Sequence, residues 1–306
     1  MKSIVTGGAG FLGSNLVVKL LDIGHEVVVI DNYKTGKLEN LSKIKNRKLE
    51  IVKSNVTDEI NIEADLVFNF ACPASPVHYQ SDPVDTMKTN ILGMINVLEH
   101  ARKYNSVVIQ SSTSEVYGDP NQTPQNEEYW GNVNPIGIRS CYDEGKRAAE
   151  TLCSDYARQF NVDVRVARIF NTYGPNMAKN DGRVVSNFIV QALLNKPITI
   201  YGNGNQTRSF CYVDDLISGV VLLSTTKITG PVNLGNPTER TVRSLAEKVI
   251  QLTGSSSKIS NLDLPEDDPK TRKPDISKAK KLLGWNPVVD IDVGLKKTIT
   301  YFKTLM

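Results

Sequence analysis

The fold is decided by a stretch near the beginning of the chain, Ser3-Ile4-Val5-Thr6-Gly7-Gly8-Ala9-Gly10-Phe11-Leu12-Gly13. Its first four residues form a β-branched run, which predicts a short buried strand. Three glycines at GxxGxxG spacing follow directly (Gly7, Gly10 and Gly13), and a helix-period segment begins at Ser14. This order is typical of a dinucleotide site, because the tight turn brings the backbone and the helix N-terminus up to a pyrophosphate.

An acidic residue lies next to the position expected for the adenosine ribose of such a cofactor. The second predicted strand, 26–30, is followed by Asp31, close to the spacing of about 20 residues at which a carboxylate meets the ribose hydroxyls. A carboxylate at this position repels a 2′-phosphate, so the sequence favours NAD over NADP. Lys34 and Lys37 follow closely enough to leave NADP open as an alternative.

The rest of the chain divides into a regular first half and a less regular second half. Alternating β-branched runs and helix-period segments predict a doubly wound parallel sheet of the Rossmann type, an α/β fold with helices on both faces. After residue 175, clusters of Gly, Pro and Asn indicate a smaller, mixed α/β region. We predict an NAD-binding domain over 1–170 and a smaller second region over 171–306, and leave open an exchange of segments between them. The predicted strands are 3–6, 26–30, 50–53, 66–70, 107–111 and 163–169, and the predicted helices include 14–23, 86–102, 142–160, 184–194 and 242–252.

Composition and charge argue against several classes of partner. The 306 residues include 36 Lys and Arg against 33 Asp and Glu, and a net charge of +3 is too small to indicate nucleic acid or an anionic membrane surface. The chain has no apolar run long enough to span a bilayer. Its four cysteines form no CxxC pair, so we expect neither a disulfide framework nor a metal, and a cytoplasmic location.

A tyrosine and a lysine lie one turn apart on the predicted helix 142–160. Tyr142 and Lys146 therefore share one face of that helix. The segment 111–115 ends the preceding strand, and the carboxyl ends of parallel strands form the ligand crevice of a doubly wound sheet. A tyrosine acts as a base near neutral pH only if its pKa falls from about 10, which a neighbouring ammonium and a cationic nicotinamide favour.

Together these motifs resemble the extended short-chain dehydrogenase/reductase family of nucleotide-sugar enzymes. The resemblance covers essentially the whole chain. Within this family, several separated segments look like the UDP-glucuronate decarboxylases, also called UDP-xylose synthases. These segments are residues 70–76, 113–120, 129–131, 134–135 and 180–188.

The resemblance implies a reaction as well as a fold. Tyr142 would take the proton of the sugar C4 hydroxyl while hydride passes from C4 to NAD⁺, with Lys146 lowering the tyrosine pKa and Thr113 bonded to the same oxygen. The C4 ketone is β to the C5 carboxylate, so carbon dioxide can leave with formation of an enolate. Reprotonation at C5 and return of the hydride would give UDP-xylose. Glu115 and Arg272 match positions that the family assigns to decarboxylation.

The resemblance also implies that 171–306 is a nucleotide-sugar-binding region, and that a homodimer forms through the two long helices. Two positions depart from the family pattern: Asn55 stands where an Asp is usual, and Ile138 replaces a Pro. We expect Asn55 to alter cofactor affinity without abolishing binding, because its carbonyl still accepts a hydrogen bond. The expected cofactor contacts are Gly7, Gly10, Phe11, Leu12, Gly13, Asp31, Asn32, Asn55, Val56, Ala71, Tyr142 and Lys146. The expected UDP-sugar contacts are Ser114, Asn171, Arg183, Tyr201, Gln206, Arg208 and Arg272.

Two related reactions and one non-catalytic role are the alternatives. The family's 4,6-dehydratases place an Asp-Glu pair where this chain has Ser114 and Glu115, and its 4-epimerases carry a smaller residue in place of Glu115. Both comparisons favour decarboxylation. A sensor that binds NAD and a nucleotide sugar is the non-enzymatic alternative, and the presence of Tyr142 and Lys146 counts against it.

Overall fold

The computed structural model describes residues 1–263 and 271–306, in which strands and helices alternate. The strands of this described part are β1 (Lys2–Thr6), β2 (Glu26–Asp31), β3 (Leu49–Lys53), β4 (Leu66–Asn69), β5 (Val107–Thr113), β6 (Val164–Ile169), β7 (Thr172–Tyr173), β8 (Ile198–Tyr201), β9 (Thr207–Ser209), β10 (Cys211–Tyr212), β11 (Pro231–Leu234), β12 (Glu239–Thr241) and β13 (Ile259–Leu262). The helices are α1 (Phe11–Asp22), α2 (Glu39–Ser42), α3 (Pro76–Ser81), α4 (Pro83–Tyr104), α5 (Ser140–Phe160), α6 (Val184–Leu193), α7 (Val213–Ser224), α8 (Val242–Thr253), α9 (Ser277–Leu283) and α10 (Ile291–Lys303), and a 3₁₀ turn covers Ser114–Tyr117.

A parallel sheet of seven strands forms the centre of the described part, in the order β11-β6-β5-β4-β1-β2-β3. Val5 of β1 lies opposite Val29 of β2 on one side and Phe68 of β4 on the other. All three side chains are buried, as expected for strands that are covered on both faces. The strand order reverses between β1 and β4, so a crevice opens at their carboxyl ends. The predicted doubly wound α/β fold is confirmed.

The six predicted strands are present to within two residues at each end, and the helices differ mainly at their starts. α1 begins at Phe11 and α4 at Pro83, each three residues earlier than the apolar periodicity indicates. In α4 the extra residues follow Asp82, whose side chain accepts a hydrogen bond from the backbone N–H of Asp85. This cap fixes the first turn before the apolar periodicity begins.

The seventh strand of the central sheet lies beyond the predicted boundary at residue 170. β11 pairs in parallel with β6, with Val232 opposite Ala167. β11 was missed because it is short and begins at Pro231 after a glycine, a pattern that reads as a turn. The division into 1–170 and 171–306 stays a prediction, but the sheet itself takes a strand from each side of it.

Helices cover the two faces of the sheet. α1 and α7 pack on one face, and α4 and α5 pack on the other, where they also contact each other along their lengths. Beyond the central sheet, β8 pairs with β13 and β9 with β12, next to α6 and α8. Within residues 1–263 and 271–306, every helix is too short or too polar to span a bilayer.

Candidate functional site

A cavity of about 1060 Å³ runs along the carboxyl ends of the central strands. β2, β5 and β6 contribute residues to its wall, as do the segments that directly follow β1 and β4, and segments from the second half of the chain close the opposite side. The wall contains every residue that the sequence analysis assigned to catalysis, cofactor binding or substrate binding. The structure thus brings these residues together, while their individual roles remain predictions.

The glycine loop forms one end of the cavity. Gly7 has φ +67°, and a Cβ on it would lie 2.7 Å from the backbone of Phe70. A side chain at Gly13 would overlap the backbone of Gly7, so α1 can rest directly on the loop only because Gly13 has none. Gly10 precedes α1, and no side chain of the described residues caps this helix. The free amides of the first turn and the bare backbone fit the pyrophosphate of NAD.

Asp31 joins the glycine loop to the segment that follows β2. One carboxylate oxygen accepts from the backbone N–H of Ala9 at 2.9 Å, and the other accepts from Tyr33 at 2.8 Å. Burial raises the pKa of Asp31, and these two hydrogen bonds oppose the rise. The carboxylate is therefore fixed in the cavity wall, at the position predicted for the ribose contact.

Lys34, one of the two lysines that left NADP possible as the cofactor, forms ion pairs with two carboxylates. Its Nζ lies 2.7 Å from a carboxylate oxygen of Asp82 and 2.6 Å from one of Asp85, both at the start of α4. An ammonium held between two carboxylates is poorly available to a 2′-phosphate. The geometry therefore adds to the preference for NAD that Asp31 indicates.

Tyr142 and Lys146 point to the same part of the cavity from α5. Lys146 is only 4% exposed, donates a hydrogen bond to the carbonyl of Ser111 at 2.9 Å, and places its Nζ 5.8 Å from the centroid of the Tyr142 ring. Burial lowers the pKa of Lys146. Burial also raises the pKa of Tyr142 well above 10, and the Thr113 hydroxyl opposes that rise. The lowered tyrosine pKa expected from the sequence depends also on the charge of bound NAD⁺, and it stays a prediction.

Glu115 is the most strongly held carboxylate in the cavity wall. It lies on the 3₁₀ turn after β5, is 7% exposed, and contacts Arg272 through both of its oxygens. Arg139 donates a further hydrogen bond to Oε2 at 2.5 Å. Burial alone would raise the pKa of Glu115, but Arg272 and Arg139 bring it below the usual value. Charge-assisted contacts of this kind hold both the carboxylate and the guanidinium groups in place.

Three residues of this cluster were missed in the sequence. Arg139 and Asp143 lie one helical turn apart on either side of Tyr142, and this spacing could have identified both. Tyr79 stacks on Tyr142, with ring centroids 5.0 Å apart and planes at 6°. Its hydroxyl is buried with no hydrogen-bond partner among the residues that the structure describes. Tyr79 comes from the short helix α3, which has no sequence signal that points to the site.

The residues predicted to bind the UDP-sugar lie on the side of the cavity formed by the second half of the chain. Asp181 orients Arg183, which donates from Nε at 2.8 Å and from Nη2 at 2.5 Å. Arg208 lies on β9 and donates to the carbonyl of Thr207 at 2.9 Å. Forked, permanently charged donors of this kind suit a diphosphate.

The fold, the glycine loop and the Tyr142 and Lys146 pair define an enzyme of the extended short-chain dehydrogenase/reductase class. A family model described as the NAD dependent epimerase/dehydratase family matches residues 3–235, and the chain belongs to this family. The prediction of NAD as the cofactor is confirmed by that membership.

Curated relatives and solved structures agree with this assignment. UDP-glucuronic acid decarboxylase 1 of Xenopus tropicalis is 53% identical over 98% of this chain and 72% of its own length. UDP-glucuronic acid decarboxylase 3 of Arabidopsis thaliana is 53% identical over 96% of this chain and 87% of its own. A UDP-glucose 4-epimerase from Thermotoga maritima, solved with UDP-glucose, has a TM-score of 0.92 at 32% identity and 100% coverage of both chains. A UDP-glucuronic acid 4-epimerase from Bacillus cereus, solved with UDP-glucuronic acid and NAD, has a TM-score of 0.89 at 30% identity and the same coverage.

Proposed function

We propose that this protein is a UDP-glucuronate decarboxylase, which forms UDP-xylose and regenerates NAD⁺ in each catalytic cycle. The observation that carries the proposal is the contact of Glu115 with Arg272 and Arg139 close to Tyr142. Two largely buried guanidinium groups beside the catalytic tyrosine can accept the carboxylate of a sugar acid alongside Glu115. The names of the relatives at 52–53% identity support the same reaction.

Substrate binding is assigned to the two sides of the cavity. Arg183 and Arg208 would bind the diphosphate, because their guanidinium groups carry forked donors and stay charged. Ser114 would hold the sugar next to Tyr142. The remaining UDP-sugar contacts are assigned to Asn171, Tyr201 and Gln206.

The first chemical step is the oxidation of the sugar at C4. When bound, NAD⁺ supplies the hydride acceptor and a positive charge that favours the ionised form of Tyr142. Tyr142 takes the proton of the C4 hydroxyl, and Thr113 hydrogen-bonds the same oxygen. Lys146, fixed by the carbonyl of Ser111 at 2.9 Å, adds an ammonium group next to the tyrosine.

The second step is the loss of carbon dioxide. The ketone at C4 is β to the carboxylate on C5, so the electron pair of the breaking bond moves into an enolate. Arg272 and Arg139 hold the carboxylate until it leaves, and Glu115 lies within reach of them to guide proton delivery to C5. One proton is consumed for each carbon dioxide released, and the hydride returns to C4.

The direct assay incubates the purified protein with UDP-glucuronate, with and without added NAD⁺, and follows carbon dioxide, NADH and nucleotide-sugar products. We expect UDP-xylose and carbon dioxide in equal amounts, without accumulation of NADH. A 4-keto pentose with stoichiometric NADH would show that the hydride is not returned. Absence of carbon dioxide would contradict the proposal.

A 4-epimerase is the second candidate, because the Bacillus cereus structure with UDP-glucuronic acid shares the fold of this chain over its full length. The same assay separates the two candidates, since a 4-epimerase would form UDP-galacturonate and release no carbon dioxide. The chain's greater identity to the decarboxylases favours decarboxylation.

We further propose a homodimer formed through α4 and α5, and a reducing location such as the cytoplasm. Leu92 on α4 is 47% exposed and Phe160 at the end of α5 is 37% exposed, so both leave apolar surface for a second copy. All four cysteines are free, which suits a reducing compartment. Sedimentation analysis of a Leu92→Arg variant tests the dimer, and we expect a shift to monomer.

A further inference from the structure

Three buried ionisable side chains and the partly exposed Arg139 form a connected cluster next to Tyr142. Arg272 and Arg139 both contact Glu115. On its other side, Arg139 places Nε 3.9 Å from Oδ2 of Asp143. Two guanidinium groups and two carboxyl groups therefore lie together where solvent screens their interactions only weakly.

Asp143 is the more weakly held of the two carboxyl groups. Its distance of 3.9 Å from Arg139 exceeds that of a hydrogen bond. Its other oxygen, Oδ1, is buried and has no hydrogen-bond partner within the described ranges 1–263 and 271–306. The residue is 7% exposed. Because an ionised oxygen that lacks both water and a partner is costly, Asp143 is the member of the cluster that most readily becomes neutral.

The charges around Asp143 act in opposite directions. Burial is the main cause that raises its pKa, and the negative charge of Glu115 raises it further, while Arg139 and Arg272 lower it. The result is a pKa of about 7. The titratable and charged groups that face Asp143 from the surrounding elements are Glu115, Tyr79, Arg139, Arg272, Glu144 and Cys141.

We propose that Asp143 takes up a proton when the carboxylate of a sugar acid enters the cluster of Arg139 and Arg272, so that acidic sugars bind together with a proton and neutral sugars bind without one. This inference rests on the proposed function, because it requires that UDP-glucuronate binds in the cavity. Asp143 does not line the cavity wall, so it acts as a positioning residue behind Arg139.

Charge balance explains the uptake. A sugar carboxylate brings a third negative charge to two guanidinium groups, and a like charge nearby raises the pKa of a carboxyl group by about one to three units. Glu115 is held by both arginines and retains its charge. Protonation of Asp143 removes the negative charge beside Arg139, so that Arg139 attracts the sugar carboxylate more strongly. The site thereby selects an acidic sugar without a further cation.

The test counts the protons exchanged when the ligand binds. NAD⁺-loaded protein carrying Tyr142→Phe, which removes the catalytic hydroxyl and its proton, is titrated with UDP-glucuronate at pH 7.5 by calorimetry in two buffers of different ionisation enthalpy. We expect an uptake of about half a proton or more per site. UDP-glucose, which has no carboxylate, should bind without uptake.

A second substitution in the same background assigns the proton to a residue. Asp143→Asn should reduce the uptake to below about a tenth of a proton. The affinity of the parent for UDP-glucuronate should fall about fourfold or more between pH 7 and pH 8.5, whereas that of Asp143→Asn should stay constant. Asp155→Asn is the matched control, since Asp155 pairs with Arg158 near the exposed end of the same helix, and it should retain the uptake.

The outcomes separate this proposal from the proposed function. Binding of UDP-glucuronate to the parent without proton uptake overturns the proposal, whether or not the Asp143→Asn variant folds. Uptake that persists in folded Asp143→Asn assigns the proton to another group and also overturns it. No binding of UDP-glucuronate by the parent contradicts the proposed function itself.

Discussion

Arg272 contacts both carboxylate oxygens of Glu115 from a position 157 residues further along the chain. Glu115 follows a strand of the central sheet, whereas Arg272 belongs to the second half of the chain. The pair therefore connects the cofactor side of the cavity to the substrate side. Because a guanidinium has five N–H donors, Arg272 can hold a ligand carboxylate as well as Glu115, and this contact relates the fold directly to a preference for acidic sugars.

Replacement of Tyr142 by Phe should abolish turnover and leave UDP-sugar binding nearly unchanged. General acid-base catalysis contributes about 10²- to 10⁴-fold, and the substitution removes only a hydroxyl. Tyr156→Phe is the matched control on the same helix, because the Tyr156 hydroxyl bonds Glu99 at 2.7 Å away from the cavity. Steady-state kinetics and ligand titration check both variants. More than about a tenth of the normal rate in Tyr142→Phe would contradict the assignment of the base.

Replacement of Glu115 by Ala should impair decarboxylation more than binding. The two arginines remain and can still attract the sugar carboxylate, but the group placed to guide the proton to C5 is lost. We expect kcat to fall by about 10²-fold or more, with a KM change of about threefold or less. An effect mainly on KM would show that Glu115 contributes to substrate binding and not to decarboxylation.

Replacement of Asp31 by Asn should relax the choice of cofactor. The amide oxygen can still accept a backbone hydrogen bond, while the negative charge that repels a 2′-phosphate is lost. The ratio of NAD affinity to NADP affinity should fall about tenfold or more in binding titrations. Lys34→Ala is the comparison variant and should change the ratio by less than about twofold, because Lys34 is already paired with Asp82 and Asp85. An unchanged ratio in Asp31→Asn would contradict the role assigned to Asp31.

The buried carboxyl group of Asp143 should make the stability of the protein depend on pH. Its pKa is raised to about 7 from 3.8, so the folded state binds more protons than the unfolded state between these values. Stability from this group is therefore lost as the pH rises through this window. Relative to Asp143→Asn, the free energy of unfolding of the parent should fall by roughly 2 to 3 kcal/mol between pH 5 and pH 8.

Denaturant unfolding at the two pH values measures this difference. Asp155→Asn again serves as the control, since Asp155 lies at the surface of the same helix. Parallel pH profiles for the parent and Asp143→Asn would mean that the carboxyl group of Asp143 titrates as in the unfolded chain.

Local patterns made the fold and half of the site predictable. The glycine loop, Asp31 and the pair Tyr142 and Lys146 could each be recognised from a few neighbouring residues, because turns, strand ends and helix faces have characteristic short sequence patterns. β11 was not predictable in this way. Its four residues are assigned to the sheet by their contact with β6, which lies more than 60 residues earlier.

The electrostatics of the site could not be read from the sequence. The ion pairs of Glu115 join three distant stretches, so only the family resemblance pointed to Arg272, and Arg139 was missed. Burial, which a sequence does not reveal, raises the pKa of Tyr142, so the lowering expected with bound NAD⁺ stays a prediction. Spacing identifies which groups are available, whereas burial decides their charge.

The most direct measurement of the central claim is proton NMR of the products formed from UDP-glucuronate in deuterium oxide. We expect UDP-xylose with one solvent deuterium at C5 and none at C4, because C5 receives its proton from exchangeable groups while the same hydride returns to C4. UDP-galacturonate as the product, or solvent deuterium at C4, would contradict it.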